Sequence, residues 1–306
     1  MILIGESLHV ISPRIRAALE TRDKAVIQDV ARKQAEAGAT YIDLNIGPQK
    51  KAGPEIMDWV VKSVQEVTDL PLSLDSINTA AIEAGLKACK KKPLINSTDA
   101  TEARMEALMP LTAKYKSYLI ALTYAGGGLP TSADARIELA NEKILPMAEK
   151  FGVPQTDLFL DPLVLTINGN QDQAQETINA VRFFRQMSDP PLKSTCGLSN
   201  ISNSAPKELR PLINRIFLVM MMGAGLDSAI ADVFDTELME AVRIVESRDD
   251  STPKGKFYVS LFDAYAAGGQ FDPGTVDAGI PEVKDMVKTV IILENKVLYA
   301  HGYLKL

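Results

Sequence analysis

Short apolar runs alternate with stretches of helical period through residues 1–250. The run Pro71–Ser76 shows the pattern. As a strand it places Leu72 and Leu74 on one face, Ser73 and Asp75 on the other, with Asp75 at its carboxyl end. The spacing predicts eight strands, at Ile2–Glu6, Thr40–Ile46, Leu72–Asp75, Leu94–Ser97, Ser117–Thr123, Leu158–Asp161, Ser194–Leu198 and Ser228–Val233. A helix is predicted after each. The first carries Val26, Ile27, Val30 and Ala31 at helical spacing and ends at Gly38, and the second carries Met57, Val60, Val61 and Val64. The others are Thr79–Cys89, Glu102–Lys114, Ala133–Phe151, Gln173–Gln186, the strongly apolar Leu209–Gly223, and Thr236–Glu246.

Eight strand-helix units in this length predict an α/β protein, a (β/α)8 TIM barrel over 1–250. A doubly wound open sheet is the alternative, but Gly5-Glu6-Ser7-Leu8 lacks the Gly-rich turn usual after its first strand. Residues 251–306 form a C-terminal extension that caps the barrel or extends a subunit contact. Within it, Thr289–Leu293 and Lys296–Ala300 flank Glu294-Asn295 and read as a hairpin. Met220, Met221 and Met222 read as core or subunit-interface packing.

Charge and composition narrow the function. The 306 residues carry a formal net charge of -6 with no basic cluster, which argues against a nucleic-acid partner. The longest apolar run, Ile216–Leu226, is too short to span a bilayer, and the N-terminus lacks a signal-peptide pattern. Cys89 and Cys196 lie far apart, which suits a reducing cytoplasm. The two His and two Cys have no ligand spacing, so no metal site is expected. His9 reads as a hydrogen-bonded structural residue. There is no G-x-S-x-G elbow and no Cys with a His partner.

What remains is polar and non-nucleophilic. Asp75, Asn96, Asp161 and Asn200 end strands three, four, six and seven, the rim where barrel active sites form. A carboxylate accepts paired N–H bonds, and an amide donates and accepts at once. A pterin ring presents a matching edge, and guanine presents the same face.

The motifs Asp75-Ser76, Leu94-Ile95-Asn96-Ser97-Thr98, Asp161-Pro162-Leu163, Gly197-Leu198-Ser199-Asn200 and Arg210–Arg215 resemble the pterin-binding methyltransferases. So do Asp43-Leu44-Asn45-Ile46-Gly47-Pro48 and Ala229–Asp232. The similarity runs from about Met1 to Glu246 and is strongest to methyltetrahydrofolate:corrinoid-protein methyltransferases. It implies that Asp75, Asn96 and Asp161 hold the pterin and that Asn200 reaches N5. Gly197, Ser199 and Asn203 would complete the pocket, with Glu6, Asp43, Asn45 and Asp232 at the barrel mouth. It implies tetrahydrofolate or its 5-methyl form as substrate, a corrinoid carried by a docking protein, and a homodimer. Two positions depart from the family. Gly5-Glu6-Ser7-Leu8-His9 replaces the familiar Gly-Glu-Arg-x-Asn, and Asn203 stands where Gln is familiar. These departures point towards a demethylation pathway, with methyl passing from corrinoid to tetrahydrofolate. A dihydropteroate synthase-like enzyme would need cations for a pyrophosphate leaving group, and Gly197–Pro206 has no Lys or Arg. A non-catalytic folate-binding subunit is the remaining alternative.

Overall fold

The computed structural model describes residues 1–305. The first half comprises β1 (Ile2–His9), α1 (Pro13–Thr21), α2 (Lys24–Glu36), β2 (Tyr41–Asn45), α3 (Gly53–Val64), β3 (Leu72–Asp75), α4 (Thr79–Ala88), β4 (Leu94–Thr98), α5 (Glu102–Tyr115) and β5 (Tyr118–Leu122). The second comprises α6 (Ala133–Leu139), α7 (Leu145–Lys150), β6 (Leu158–Asp161), α8 (Gln173–Phe184), β7 (Lys193–Ser194), α9 (Arg210–Ala224), β8 (Ser228–Ala231), α10 (Thr236–Ser247), α11 (Pro253–Ala266) and α12 (Pro281–Leu293). The strands run parallel in the order β7-β6-β5-β4-β3-β2-β1-β8. A parallel bridge between Gly197 and Ile230, with Ile230 N–H donating to the Cys196 carbonyl at 2.8 Å, closes the circle between β7 and β8. The fold is therefore the (β/α)8 barrel, with a helical extension.

Alternation along the strands sorts side chains into two environments. Ile42, Leu44, Leu72 and Leu74 are buried beneath the surrounding helices. The opposite parity faces the barrel interior. Towards the amino ends of the strands the interior is apolar, a cluster of Ile4, Leu94, Ile120 and Phe159 backed by Tyr41, Tyr118 and Ile230. Further along β1, β2, β3, β4 and β6 the same inward parity carries Glu6, Asn45, Asp75, Asn96 and Asp161. The barrel is thus plugged by hydrophobes at one end and lined with polar groups at the other.

Several expected elements differ. The tail hairpin is not formed: Thr289–Leu293 is the last part of α12, and Lys296–Ala300 contains no strand. The β-branched residues there suggested a strand. Val283, Met286, Val287, Val290 and Leu293 recur at helical spacing, and burying that stripe overrides strand propensity. The long helix over 133–151 is split by a π-helical turn, Ala140–Ile144, next to Pro146, which has no N–H to give a regular ladder. Helix α1 was not expected, and β7 is shorter than predicted.

The extension covers α9. Met220, Met221 and Met222 are buried within the chain, among the cluster that includes Phe257, Tyr258 and Leu261 of α11. The two helices touch closely at Gly223, where an added Cβ would lie 2.6 Å from the Phe262 carbonyl and 2.7 Å from the Tyr265 Cβ. Gly223→Val is expected to lower stability by about 1–3 kcal/mol, because the seam must open to admit the branch. An unchanged urea midpoint would show the α9–α11 seam to be slack.

Candidate active site at the barrel mouth

Parallel register puts the polar groups side by side. Asn45 pairs with Asp75, and Asp75 pairs with Asn96, so β2, β3 and β4 present an amide, a carboxylate and an amide in one row. One layer deeper, Asp43 pairs with Ser73. Asn45 Nδ2 donates to Asp75 Oδ2 at 2.5 Å, while Asn45 Oδ1 accepts from the Gly47 amide at 3.0 Å, which fixes the orientation of the side chain. Asp43 Oδ1 accepts from Ser73 Oγ at 2.6 Å and from Asn96 Nδ2 at 3.1 Å. Two hydrogen-bonded groups thus lie side by side, Asn45 with Asp75 and Asp43 with Ser73 and Asn96, and Asp43 is the buried floor.

Asp161 comes from across the barrel. Its backbone carbonyl accepts from the Thr123 N–H at 2.9 Å and from Thr123 Oγ1 at 3.0 Å, which seats β6 against the end of β5. Its Oδ1 accepts from the Leu163 amide at 2.7 Å, with Leu163 at φ 59. Gly197 makes the bridge to β8, and the 3-10 turn Leu198–Ser202 follows. Ser199 Oγ donates to Glu6 Oε1 at 2.7 Å. Asn200 sits exposed in that turn; its backbone N–H donates to the Gly197 carbonyl at 3.3 Å, while its side-chain amide has no hydrogen-bond partner among the described residues.

Two sequence candidates stand apart. Asn203 is exposed and folds back, its Oδ1 accepting from the Ser204 amide at 3.0 Å, so its side chain serves its own loop. Asp232 is exposed beside Glu6 and caps a turn by accepting from the Phe234 amide at 3.0 Å. Residue His9 is likewise occupied locally, its Nδ1 accepting from the Ile11 amide at 3.0 Å.

The electrostatics follow from burial. Burial pushes Asp43 well above the usual carboxylate range, and the charge of Asp75 adds to the effect against the bonds from Ser73 and Asn96. Burial raises Asp75 as well, opposed by Asn45 and by the Arg104 guanidinium. Asp161 is raised by burial to about 6, opposed by the Leu163 amide and by Arg136. Glu6 is raised by burial, with Ser199 opposing and Asp232 adding. At all four carboxyls burial outweighs the donors the protein supplies, and a ligand edge rich in N–H groups would add more.

Some supporting residues escaped sequence reasoning. Ser73 is fully buried beside Asp43. Arg104 of α5 donates to the carbonyls of Ser76 at 2.8 Å and Ile77 at 2.9 Å, and so ties down the loop after β3. Nothing in the spacing of a charged residue on a helix signals that use.

Comparison with known proteins gives the family. The pterin binding enzyme family matches residues 14–232. The chain belongs to that family. It is 33% identical over 244 residues to the methylcorrinoid:tetrahydrofolate methyltransferase of Eubacterium limosum, covering 79% of this chain and 89% of that one. It is 30% identical to the methionine synthase of Mycobacterium tuberculosis, over 98% of this chain but 27% of that much longer one. Among solved structures, Yersinia pestis dihydropteroate synthase superposes with a TM-score of 0.60 at 18% identity, covering 82% of this chain and 94% of that one, which is a likeness of fold.

The raised Asp43 gives a stability test. The folded chain holds the Asp43 proton to higher pH than the unfolded chain, whose carboxyl titrates near 4. Between that value and the raised folded one the native state binds more protons, so stability falls as pH rises. Asp43→Asn mimics the protonated acid and keeps an acceptor for Ser73 and Asn96. It is expected to match the wild type near pH 4 and to exceed it by about 1–3 kcal/mol in mildly alkaline solution. Urea unfolding at the two pH values checks this, and a gap that does not widen with pH would mean that native Asp43 is already ionised.

Proposed function

We propose that this pterin binding enzyme transfers methyl from the cobalt of a corrinoid protein to N5 of tetrahydrofolate. The observation that carries the reading is the abreast row Asn45–Asp75–Asn96 facing Asp161, a donor-poor set suited to the amino and ring N–H edge of a pterin. The direction rests on the Eubacterium limosum relative, which is named for methyl transfer between methylcorrinoid and tetrahydrofolate. The corrinoid arrives on a partner. Four large apolar side chains stand exposed on the loops around the mouth: Ile11 (75%), Ile77 (74%), Leu129 (51%) and Phe234 (41%). They suit a transient protein landing over the site.

The cation question weakens the dihydropteroate synthase-like reading. A 720 Å³ cleft beside Ser199 does contain Lys207, Arg210 and Arg215. Arg215 is paired with Glu237, Arg210 donates to the Ala205 carbonyl at 2.8 Å, and Glu6, Glu208, Asp232 and Asp235 share the cleft. That lining does not favour pyrophosphate.

The chemistry needs no protein nucleophile. The N5 lone pair attacks the cobalt-bound methyl carbon, the cobalt–carbon bond breaks, and its electron pair stays on cobalt as Co(I). N5 becomes cationic as the new bond forms and then releases its proton to water at the open mouth. Asn200, with a free side-chain amide at the rim, accepts from N5–H through its Oδ1, and the reverse reaction passes through the same contact because both directions share one transition state. Its bond strengthens as charge develops on nitrogen, the condition for raising rate rather than affinity. Asp75 and Asp161 hold the ring in place.

Two measurements test the reading. Calorimetry is expected to show tetrahydrofolate binding that weakens by roughly 2–4 kcal/mol in Asp75→Ala or Asp161→Ala, since a buried donor loses a charged acceptor. Stopped-flow spectroscopy of cobalt during methyl transfer from methylcobalamin is expected to show a 10- to 100-fold slower step in Asn200→Ala, with folate affinity much less changed. Unaltered affinity in both Asp variants would remove the pterin from the site.

A further inference from the structure

Arg136 is the largest side chain that is wholly buried, and it lies outside the ring of groups at the mouth. It projects from α6 into the loop after β6. Its Nε donates to the Pro162 carbonyl at 2.5 Å, Nη1 to the Ser132 carbonyl at 3.0 Å, and Nη2 to Gln173 Oε1 at 3.1 Å. Gln173 is itself fixed, donating to the Thr131 carbonyl at 3.0 Å and to Asp172 Oδ2 at 2.8 Å. A buried guanidinium needs this many acceptors, and the charges of Glu176, Asp161 and Asp172 favour it.

The Pro162 carbonyl and the Leu163 N–H belong to one peptide group. Arg136 holds the oxygen of that group, and Asp161 Oδ1 holds its N–H at 2.7 Å. In a trans peptide these two atoms point in opposite directions, so the plane is stretched between a cation and a carboxylate. Its dipole has the positive end at Asp161. A guanidinium on the far oxygen polarises the peptide further, and hydrogen bonds in series strengthen one another. It also prevents the peptide from turning over, which would aim a carbonyl at the carboxylate.

We propose that Arg136 is a positioning residue for Asp161, acting through the Pro162–Leu163 peptide to keep the carboxylate ionised and aimed into the barrel mouth. The proposal deepens the pterin-site reading, because Asp161 is one of the two carboxylates assigned to the ring. Few other titratable groups face Asp161. Cys196 on the β7 side is held protonated by burial and by the Asp161 charge, and Thr123 at the end of β5 is neutral. Arg136 is the cation among the groups that act on the carboxyl.

The test reads Asp161 directly, without folate. Carboxyl carbon resonances of the ¹³C-aspartate-labelled protein are followed with pH, and Asp161 is assigned by its loss in Asp161→Asn. In Arg136→Gln the Asp161 pKa is expected to rise by about one pH unit. Arg136→Lys, which keeps the charge but not the fork, is expected to fall between Arg136→Gln and the wild type. An unchanged Asp161 titration in folded Arg136→Gln overturns the proposal. Should that variant not fold, the wild type still decides. Its Arg136 Nε–H and Leu163 amide proton signals must both move with the Asp161 midpoint, and an Arg136 signal that ignores it overturns the coupling. Folate affinity is then measured at pH 6 and pH 8.5. Arg136→Gln is expected to lose about tenfold more affinity at the lower pH, where its Asp161 is protonated. Wild-type protein that binds no folate would sink the pterin site and leave the Asp161 titration as a complete test of Arg136.

Discussion

Parallel strands keep step, and that step is what the mouth of this barrel depends on. Asn45, Asp75 and Asn96 stand abreast because β2, β3 and β4 pair in register. A slip of one residue would turn all three into the helical layer and bring leucines inward. The same parity builds the apolar floor of Ile4, Leu94, Ile120 and Phe159. Floor and ring are therefore one design. The hydrophobes that stabilise the barrel also exclude water from beneath the carboxylates, and that exclusion raises their pKa values.

The ring is costly in the absence of a partner. Asp43 and Asp161 are buried and Asp75 is half-buried, and their protein donors are amides, hydroxyls and backbone N–H groups rather than directly bonded cations. An ion pair would have satisfied the carboxylates and left nothing for a ligand. Neutral donors leave capacity to accept more hydrogen bonds while the guanidiniums of Arg104 and Arg136 act at one remove. Binding of an N–H-rich edge is favoured because it supplies what folding leaves unmet. This is the physical sense in which a row of carboxylates and amides is suited to one class of ligand.

The strands and most helices were legible in the sequence because alternation and helical period report burial directly. Asp75, Asn96 and Asp161 were legible as strand ends. Register was not, since it depends on neighbours far along the chain, and so Asp43 and Asn45 came forward only through family resemblance. Asn203 was carried over by the same resemblance, yet its side chain turns to Ser204, a choice made by loop geometry that no motif records. The tail misled for a simpler reason. Thr289–Leu293 is rich in β-branched residues, and its partner surface on α9 lies some seventy residues away, so local propensity had nothing to weigh against it.

The position of the extension follows from the same loop that carries Asp161. Gln171, buried near its end, donates to the carbonyls of Ile292 at 2.7 Å and Val297 at 2.6 Å and accepts from the Tyr299 amide at 2.7 Å. The other side of the loop is joined to the turn that bears Asn200, with the Ile167 N–H donating to the Ile201 carbonyl at 2.8 Å and Thr166 Oγ1 bonded to the Asn203 carbonyl. A loop of this length has no ladder of its own, and its backbone groups must be met by neighbours. Here the neighbours are the tail on one side and the Asn200 turn on the other. Residues 292–299 therefore do more than cover α9. They support, through one glutamine, the loop on which both the carboxylate at β6 and the amide after β7 depend for their placement.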